Sequence, residues 1–163
     1  MHKSYNTFLG HNPQKISCKK KLSKDFNKNK VAVLTGAAKK IGRSTAIRLA
    51  EQGFNILIHT GGKSIEEAKD TINLLEKFKI KSNYVTGDLA NLETINIIKD
   101  AALKLGTPSV LVNNAGLRIH EHFEKIDYKD WKKVMNVNVD ASFLCAQALI
   151  IYMVKQKWGR VIN

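Results

Sequence analysis

Residues 35–43, which read TGAAKKIGR, constrain the fold of this chain more than any other segment. They follow the short apolar run at residues 31–34 and begin a helical pattern that continues to Gln52. Small residues in such a turn let a pyrophosphate approach the backbone, and the free amides at a helix N-terminus attract an anion. The sequence therefore predicts a buried strand, a phosphate-binding turn and a helix in succession.

Apolar runs and helical periods alternate along the rest of the chain. The predicted strands cover residues 31–34, 54–58, 83–85, 110–112 and 160–163, and the predicted helices cover residues 41–52, 64–79, 92–105 and 128–155. Strands separated by helices form parallel sheets with right-handed crossovers. We therefore predict an α/β fold with a doubly wound parallel sheet of the Rossmann type, truncated after the fifth strand.

The positive charge of the chain is concentrated at its amino terminus. Residues 1–30 carry eight lysines against Asp25 alone, and the formal net charge of the whole chain is +13. This segment shows no apolar periodicity, so we predict a disordered basic tail over residues 1–30 and a dinucleotide-binding domain over residues 31–163. Neither interleaved aromatic residues nor a recognition-helix motif accompanies the lysines, and we predict no nucleic-acid partner.

Cysteine usage and the length of the apolar stretches indicate the compartment. Cys18 and Cys145 lie in unrelated contexts without metal-ligand spacing, which favours a reducing, cytoplasmic environment. The longest apolar stretch, residues 143–154, contains Gln147 and is shorter than the roughly 20 residues of a membrane-spanning helix. We therefore predict no membrane association.

Four segments in order resemble the short-chain dehydrogenase/reductase family. Residues 35–42 resemble its TGxxxGxG turn, with Lys40 in place of the middle glycine, and Asp88-Leu89 resembles the acidic step that holds adenine. Residues 113–116 read NNAG, and residues 131–139 resemble the helix that carries the active-site asparagine. The resemblance covers residues 31–163. It implies an oxidoreductase, usually a homo-oligomer, that transfers hydride between a nicotinamide cofactor and a small carbonyl or alcohol substrate.

The branch of the family stays open at this point. The TGAAK turn followed by Lys40 resembles the pteridine reductases, in which that basic side chain lies near the cofactor phosphate and the substrate. The NNAG segment resembles instead the broader group of 3-oxoacyl-type reductases. Pteridine, acyl-thioester, sugar and steroid carbonyls all remain possible substrates.

The end of the second predicted strand favours NADP(H) over NAD(H). NAD enzymes place an acidic residue there to bind the ribose 2′-hydroxyl, but residues 59–64 read HTGGKS and contain no acid. Lys39, Lys63 and Ser64 would pair with a 2′-phosphate, although Ser64 with Glu67 also fits a helix capping box. The residues predicted to bind the cofactor, most of them through the resemblance, are Gly36, Ala38, Lys39, Lys40, Ile41, Gly42, Thr60, Lys63, Ser64, Asp88, Leu89, Asn114, Ala115 and Gly116.

The resemblance assigns catalysis to a serine, an asparagine and a Tyr-x-x-x-Lys pair. Asn138 matches the asparagine, whereas the other groups are expected after residue 163. Tyr128 and Lys132 have the Tyr-x-x-x-Lys spacing, but they precede Asn138 and begin the wrong helix, so we assign them no catalytic role. We also predict no metal site, because a solvated loop explains the cluster of His120, Glu121, His122 and Glu124 more simply.

We therefore expect the 163-residue chain alone to lack reductase turnover. A non-catalytic nucleotide-binding or interaction protein is the alternative function. Without the helix that follows the fifth strand in this family, we also expect an apolar stripe to be exposed on the long helix, formed by Val134, Val137, Ala141, Leu144 and Ala148.

Overall fold

Five parallel strands form one sheet in the computed structural model, which describes residues 24–163. The strands are β1 (Lys30–Leu34), β2 (Asn55–Thr60), β3 (Ser82–Thr86), β4 (Thr107–Val112) and β5 (Arg160–Ile162). They lie in the order β3-β2-β1-β4-β5, and every neighbouring pair is parallel. The predicted α/β fold with a doubly wound parallel sheet is confirmed.

The strands are connected by helices that cover both faces of the sheet. The helices are α1 (Lys24–Asn27), α2 (Lys40–Glu51), α3 (Ile65–Leu75), α4 (Leu92–Leu105), α5 (Tyr128–Met135) and α6 (Ala141–Lys155). A single π-helical turn, Asn136–Asp140, joins α5 to α6, so the predicted helix over residues 128–155 is continuous. Short 3₁₀ turns precede and follow α3, at Gly62–Ser64 and Glu76–Phe78.

The core has two layers because successive side chains of each strand point to opposite faces. Leu34 and Ile58 belong to the layer that α2 and α3 cover, and Val33 and Leu57 belong to the layer that α4 and α6 cover. All six residues of β2 are buried, as expected for a strand covered on both faces. This arrangement makes the carboxyl ends of the strands the accessible edge for a ligand.

The structure differs from the predicted elements where polar residues pair in the sheet. β2 continues two residues beyond the predicted strand, to Thr60, and β4 begins three residues before it, at Thr107. Sheet hydrogen bonds come from the backbone, so His59 and Thr60 pair with β3 although they interrupt the apolar pattern. Ile41, in the first turn of α2, is 76% exposed although it belongs to the apolar pattern of the predicted helix over residues 41–52.

Residues 24–30 are part of the folded domain, which corrects the boundary predicted at residue 30. Asn27 is fully buried, and its Nδ2 donates to the carbonyl of Gln52 at 2.8 Å. The Phe26 ring packs edge-on against Trp158, with 5.7 Å between ring centroids. The remainder of the predicted tail, residues 1–23, lies outside the described residues.

The continuous helix Tyr128–Lys155 is long and apolar enough to cross a membrane by length and composition. A core helix of a folded domain meets the same test, and four α6 residues at successive turns are buried against the sheet: Ala141, Cys145, Leu149 and Met153. The length and apolar composition of this helix are therefore only weak evidence that it spans a membrane.

The exposed stripe predicted on this helix is wrong. Ala141 is buried, and Leu144 and Ala148 pack against the same core layer, so the predicted stripe includes the face that contacts the sheet. The large apolar side chains that are exposed on this helix are others: Tyr128, Trp131, Val139, Phe143, Ile150, Ile151 and Val154. A stripe read from spacing alone does not reveal which side of a helix faces the sheet.

Candidate functional site

A cleft of about 800 Å³ opens at the carboxyl ends of the strands. Its walls are the loops that follow β1, β2, β3 and β4, closed on one side by Lys133 of α5 and by Asn136 and Val137 of the π-helical turn. The cleft lies where the strand order reverses between β1 and β4. This switch point is where doubly wound sheets bind their ligands.

The loop after β1 and the first turn of α2 contain positions that only small residues can occupy. Gly36 has a φ of +61°, and a Cβ there would lie 2.7 Å from the Cα of Ala115. A Cβ at Gly42 would lie 2.5 Å from the Cα of Ala37 and 2.8 Å from the Nδ2 of Asn114. The glycines therefore allow the loops after β1 and β4 to pack together at the floor of the cleft.

The N-terminus of α2 borders the cleft and, among residues 24–163, receives no side-chain cap. The N-cap residue Lys39 provides no side-chain capping bond, and the first turn of α2 contains no acidic residue. Lys40, the next residue, has a φ of +52° and also lines the cleft. A helix N-terminus followed by two lysines is an environment that stabilises a bound anion.

A hydrogen-bond network fixes the loops after β1 and β4 relative to each other. Thr35 Oγ1 accepts bonds from the backbone amides of Asn114, at 3.1 Å, and Ala115, at 3.0 Å. In return, Asn114 Nδ2 donates to the carbonyls of Thr35, at 3.0 Å, and Gly36, at 2.8 Å. Asn114 therefore holds the cleft floor in shape, whether or not it also contacts a ligand.

His59, at the end of β2, is a buried and neutral part of the cleft wall. Its Nε2 lies 3.0 Å from the carbonyl of Gly87, so Nε2 carries the proton and donates. Burial lowers the pKa of His59 below its ordinary value, although the bond to Gly87 and the nearby Asp88 act in the opposite direction. Within residues 24–163, His59 Nδ1 is a buried acceptor without a hydrogen-bond partner.

A charged cluster joins α2 to α3 beside the cleft. Lys39 Nζ lies 2.8 Å from Glu67 Oε1, and this hydrogen bond lowers the pKa of Glu67. Arg43 donates through Nη2 to the carbonyls of Ala38 and Glu67, both at 2.9 Å, and through Nε to Thr71 Oγ1 at 2.7 Å. The capping box predicted from Ser64 and Glu67 is wrong, because Ser64 makes no side-chain capping bond and the Glu67 carboxylate binds Lys39.

Comparison with known proteins identifies the family. A family profile described as short chain dehydrogenase matches residues 30–163. The chain belongs to this family. It is 34% identical over 141 residues to the 3-oxoacyl-(acyl-carrier-protein) reductase FabG of Staphylococcus epidermidis, covering 83% of this chain and 55% of that protein. It is 38% identical over 135 residues to the uncharacterized oxidoreductase YohF of Escherichia coli, covering 82% of this chain and 53% of that protein.

A solved structure supports the same assignment. The crystal structure of acetoin dehydrogenase YohF from Salmonella typhimurium superimposes with a TM-score of 0.77 at 34% sequence identity. The match covers 83% of this chain and 54% of that one. The chain therefore spans about half the length of the curated relatives that it matches.

Short-chain dehydrogenases bind a nicotinamide dinucleotide, and the cleft residues fit such a ligand. Gly36 and Gly42 allow the loops that form the cleft floor to pack closely, and the α2 N-terminus, which has no side-chain cap, offers amides to a pyrophosphate. Three lysines line the cleft near this end, Lys39, Lys40 and Lys63. Shape and charge both agree with a dinucleotide that carries several phosphates.

The structure brings together most of the residues predicted to bind the cofactor. Gly36, Lys39, Lys40, Ile41, Gly42, Lys63, Asp88, Leu89, Asn114, Ala115 and Gly116 line the cleft. Ala38, Thr60 and Ser64 do not line it, and their assignment to cofactor binding stays a prediction. Ala38 is a core residue whose carbonyl binds Arg43, and the buried Thr60 hydroxyl donates to the carbonyl of Gly61.

Several residues that line the cleft were not predicted from the sequence: His59, Gly61, Gly62, Gly87, Ala90, Leu117, Lys133, Asn136 and Val137. Residues adjacent to strand ends could have been found from the rule that ligands bind at the carboxyl edge of the sheet. The last three come from the long helix. Its approach to the cleft depends on tertiary packing that no local signal reports.

Asn138, the predicted catalytic asparagine, lies in the π-helical turn next to the cleft lining. Its Oδ1 accepts from the amide of Leu117 at 2.7 Å, and its Nδ2 donates to the carbonyl of Leu117 at 3.0 Å. The hydroxyl of Ser142 donates to the backbone carbonyl of Asn138 at 3.2 Å. The Asn138 side chain therefore fixes the loop after β4 to the long helix.

Two other clusters considered from the sequence lie apart from the cleft lining. Tyr128 is 75% exposed in the first turn of α5, and neither it nor Lys132 lines the cleft. In the loop after β4, Arg118 Nε donates to His120 Nε2 at 3.0 Å. Across residues 24–163, no group of three or more His, Cys, Asp or Glu side chains could hold a metal ion.

Proposed function

We propose that this chain carries the cofactor-binding portion of an NADP(H)-dependent oxidoreductase acting on a small-molecule carbonyl or alcohol. The observation that carries the proposal is the composition of the cleft at the end of β2. Lys39 and Lys63 line it there, and the residues that follow β2 include no acid before Glu66. A carboxylate at this position would bind a ribose 2′-hydroxyl and repel a 2′-phosphate, whereas lysines attract the phosphate.

The remaining contacts are proposed from the position of each residue in the cleft. The α2 N-terminus with Lys40 receives the pyrophosphate, and Asp88 with Leu89 holds the adenine. Asn114 keeps the β1 and β4 loops together beneath the ligand. When bound, the nicotinamide supplies or accepts a hydride at the substrate carbon.

Asn138 contributes to this activity by holding the loop after β4 against the long helix. Its role in a proton relay, which the resemblance implies, depends on a tyrosine and a lysine that are absent after β5 in the 163 residues. We accordingly propose that the 163-residue chain alone binds nucleotide without measurable turnover, because a positioned general acid contributes about 10²–10⁴-fold to rate. A panel of carbonyl compounds with NADPH, followed at 340 nm, tests this point, and steady oxidation above the blank would contradict it.

The relatives define the class of substrate only broadly. One is named as a 3-oxoacyl-(acyl-carrier-protein) reductase and another as an acetoin dehydrogenase, so acyl thioesters and small hydroxyketones both belong in the panel. We propose a cytoplasmic location and homo-oligomeric assembly for the protein, as in the expectations drawn from its sequence.

The test of cofactor preference is calorimetric titration of the chain with NADPH and NADH. Tighter binding of NADPH is expected, and equal affinity or tighter binding of NADH would refute the proposal. The double substitution Lys39→Glu and Lys63→Glu should reverse the preference. Lys104→Glu, in the last turn of α4 outside the cleft lining, makes one such charge change and should leave the preference unchanged.

A further inference from the structure

The three lysines near the phosphate end of the cleft differ in their electrostatic state. Lys39 is paired with Glu67, at 2.8 Å between Nζ and Oε1. Among the described residues, Lys40 and Lys63 form no ion pair. The pair with Glu67 therefore cancels one positive charge beside the end of β2.

The Lys39–Glu67 pair is accessible and can separate. The side chain of Lys39 is 49% exposed and that of Glu67 is 36% exposed, so water can solvate either group after separation. Exposed ion pairs of this kind are weak, because the solvent screens them and two flexible side chains must be ordered. A phosphate dianion that arrives at the same lysine offers a stronger charge-assisted contact.

The neighbouring Arg43 does not have this freedom. Its guanidinium group is bound to the carbonyls of Ala38 and Glu67 and to the hydroxyl of Thr71. These contacts use the backbone carbonyl of Glu67 and hold the start of α3 near α2, whatever the Glu67 carboxylate does. Lys39 can therefore change partner while the surrounding backbone stays in place.

We propose that Glu67 is a specificity-determining residue that occupies Lys39 in the nucleotide-free chain and is displaced from it by the adenosine 2′-phosphate. The inference rests on the proposed preference for NADP(H) and adds the group against which the phosphate competes. Glu67 then lowers the affinity for nucleotides that carry the 2′-phosphate, because the Lys39–Glu67 pair must be broken before Lys39 can bind the phosphate. Nucleotides without the 2′-phosphate leave the pair intact and bind independently of Glu67.

The test compares 2′,5′-ADP with 5′-AMP, which differ only in the 2′-phosphate, by calorimetry at 0.15 M salt. Glu67→Gln keeps a hydrogen-bond acceptor for Lys39 but removes the charge. It should tighten binding of 2′,5′-ADP about two- to fivefold, the range expected when a weak exposed ion pair no longer has to be broken. Binding of 5′-AMP should stay within about 1.5-fold of the wild-type value, because its contacts do not involve Lys39.

Glu66→Gln is the matched control. Glu66 is the adjacent residue of α3, and its Oε1 pairs with Lys69 at 2.8 Å instead of with Lys39. This variant should bind both nucleotides like the wild type. Glu67→Ala provides a second removal of the charge and should change 2′,5′-ADP affinity in the same direction as Glu67→Gln.

A double substitution separates competition for Lys39 from simple repulsion of the phosphate. In a Lys39→Gln background, Glu67→Gln should lose most of its effect on 2′,5′-ADP, because there is no lysine to release. Unchanged or weaker 2′,5′-ADP binding by Glu67→Gln, or a full gain in the Lys39→Gln background, would overturn the inference. If the wild type binds 2′,5′-ADP no better than 5′-AMP, the proposed NADP(H) preference itself fails.

Discussion

Lys40 has a backbone conformation that is unfavourable for residues other than glycine. Its replacement by glycine should therefore stabilise the fold and, at the same time, weaken ligand binding. Its φ of +52° lies in the left-handed region, which costs an ordinary residue about 1–2 kcal/mol. Glycine avoids this cost but loses about 0.5–1 kcal/mol through the greater freedom of the unfolded chain. Lys40→Gly should therefore increase the free energy of unfolding by about 0.5–1 kcal/mol.

The same substitution should weaken dinucleotide binding. Lys40 lines the cleft beside the α2 N-terminus, where we propose that the pyrophosphate binds. The side chain is exposed, so the loss should correspond to a screened contact, a decrease in NADPH affinity of about two- to fivefold. Residue 40 would then be a position where the chain gives up stability in exchange for a positive charge at the cleft.

Thermal unfolding and calorimetric titration with NADPH measure the two effects on one sample. Lys79→Gly is the control, because Lys79 also has a left-handed φ, +56°, but lies outside the cleft lining. Both variants should melt higher by a few degrees, and only Lys40→Gly should lose affinity. Wild-type affinity in Lys40→Gly would refute the proposed phosphate contact, and a lower melting temperature in both variants would refute the argument from strain.

Three further predictions follow from buried groups and from the amino-terminal segment. Because burial lowers the pKa of His59 in the folded chain, the unfolded chain binds the proton more readily, and stability should fall as pH decreases below the ordinary value of 6.5. His59→Gln should reduce this acid sensitivity in melting curves from pH 7.5 to 5.5, whereas His122→Gln, in the exposed loop, should retain it. Burial raises the pKa of the Cys145 thiol to about 11, so iodoacetamide at pH 8 should label it only after the chain is unfolded in urea. Peptide mass spectrometry measures this labelling, and rapid labelling of Cys145 in the native chain would contradict the prediction. Removal of residues 1–23 should change the melting temperature by no more than about 2 °C. Asn27→Ala should lower the free energy of unfolding by about 1–3 kcal/mol, because it leaves the Gln52 carbonyl unpaired. A large decrease in melting temperature on truncation, or an unchanged free energy of unfolding in Asn27→Ala, would refute a domain boundary near residue 24.

The fold was predictable because its signals are local and repeated. Each β-strand contains a short apolar run. Each of the helices α2, α3 and α4 begins close to a glycine, serine or asparagine that can be recognised in the sequence. Asn91, for example, immediately precedes the predicted helix over residues 92–105, and its Oδ1 accepts from the amide of Glu93 at 2.9 Å. Element boundaries were less accurate, since polar residues such as His59 and Thr60 extend the strands through backbone pairing.

The cleft was predictable only where its residues follow strands in a recognisable motif. Lys133 escaped notice because its position at the cleft depends on how α5 packs, and Val137 because it lies within the π-helical turn Asn136–Asp140. A π-helical turn adds one residue to a helical turn and changes the direction of the side chains that follow it. A sequence read with uniform 3.6-residue spacing cannot anticipate that change.

The Lys39–Glu67 pair shows the same limit for electrostatics. The sequence indicates a lysine at the start of α2 and a glutamate three residues after an expected N-cap, and the capping box is the simplest local use of that glutamate. The two residues are 28 positions apart, and only the packing of α2 against α3, tied by Arg43 to the carbonyl of Glu67, places them 2.8 Å from each other. The proposed role of Glu67 in cofactor preference therefore rests on packing between α2 and α3, whereas the sequence pattern directs attention only to the residues that follow β2.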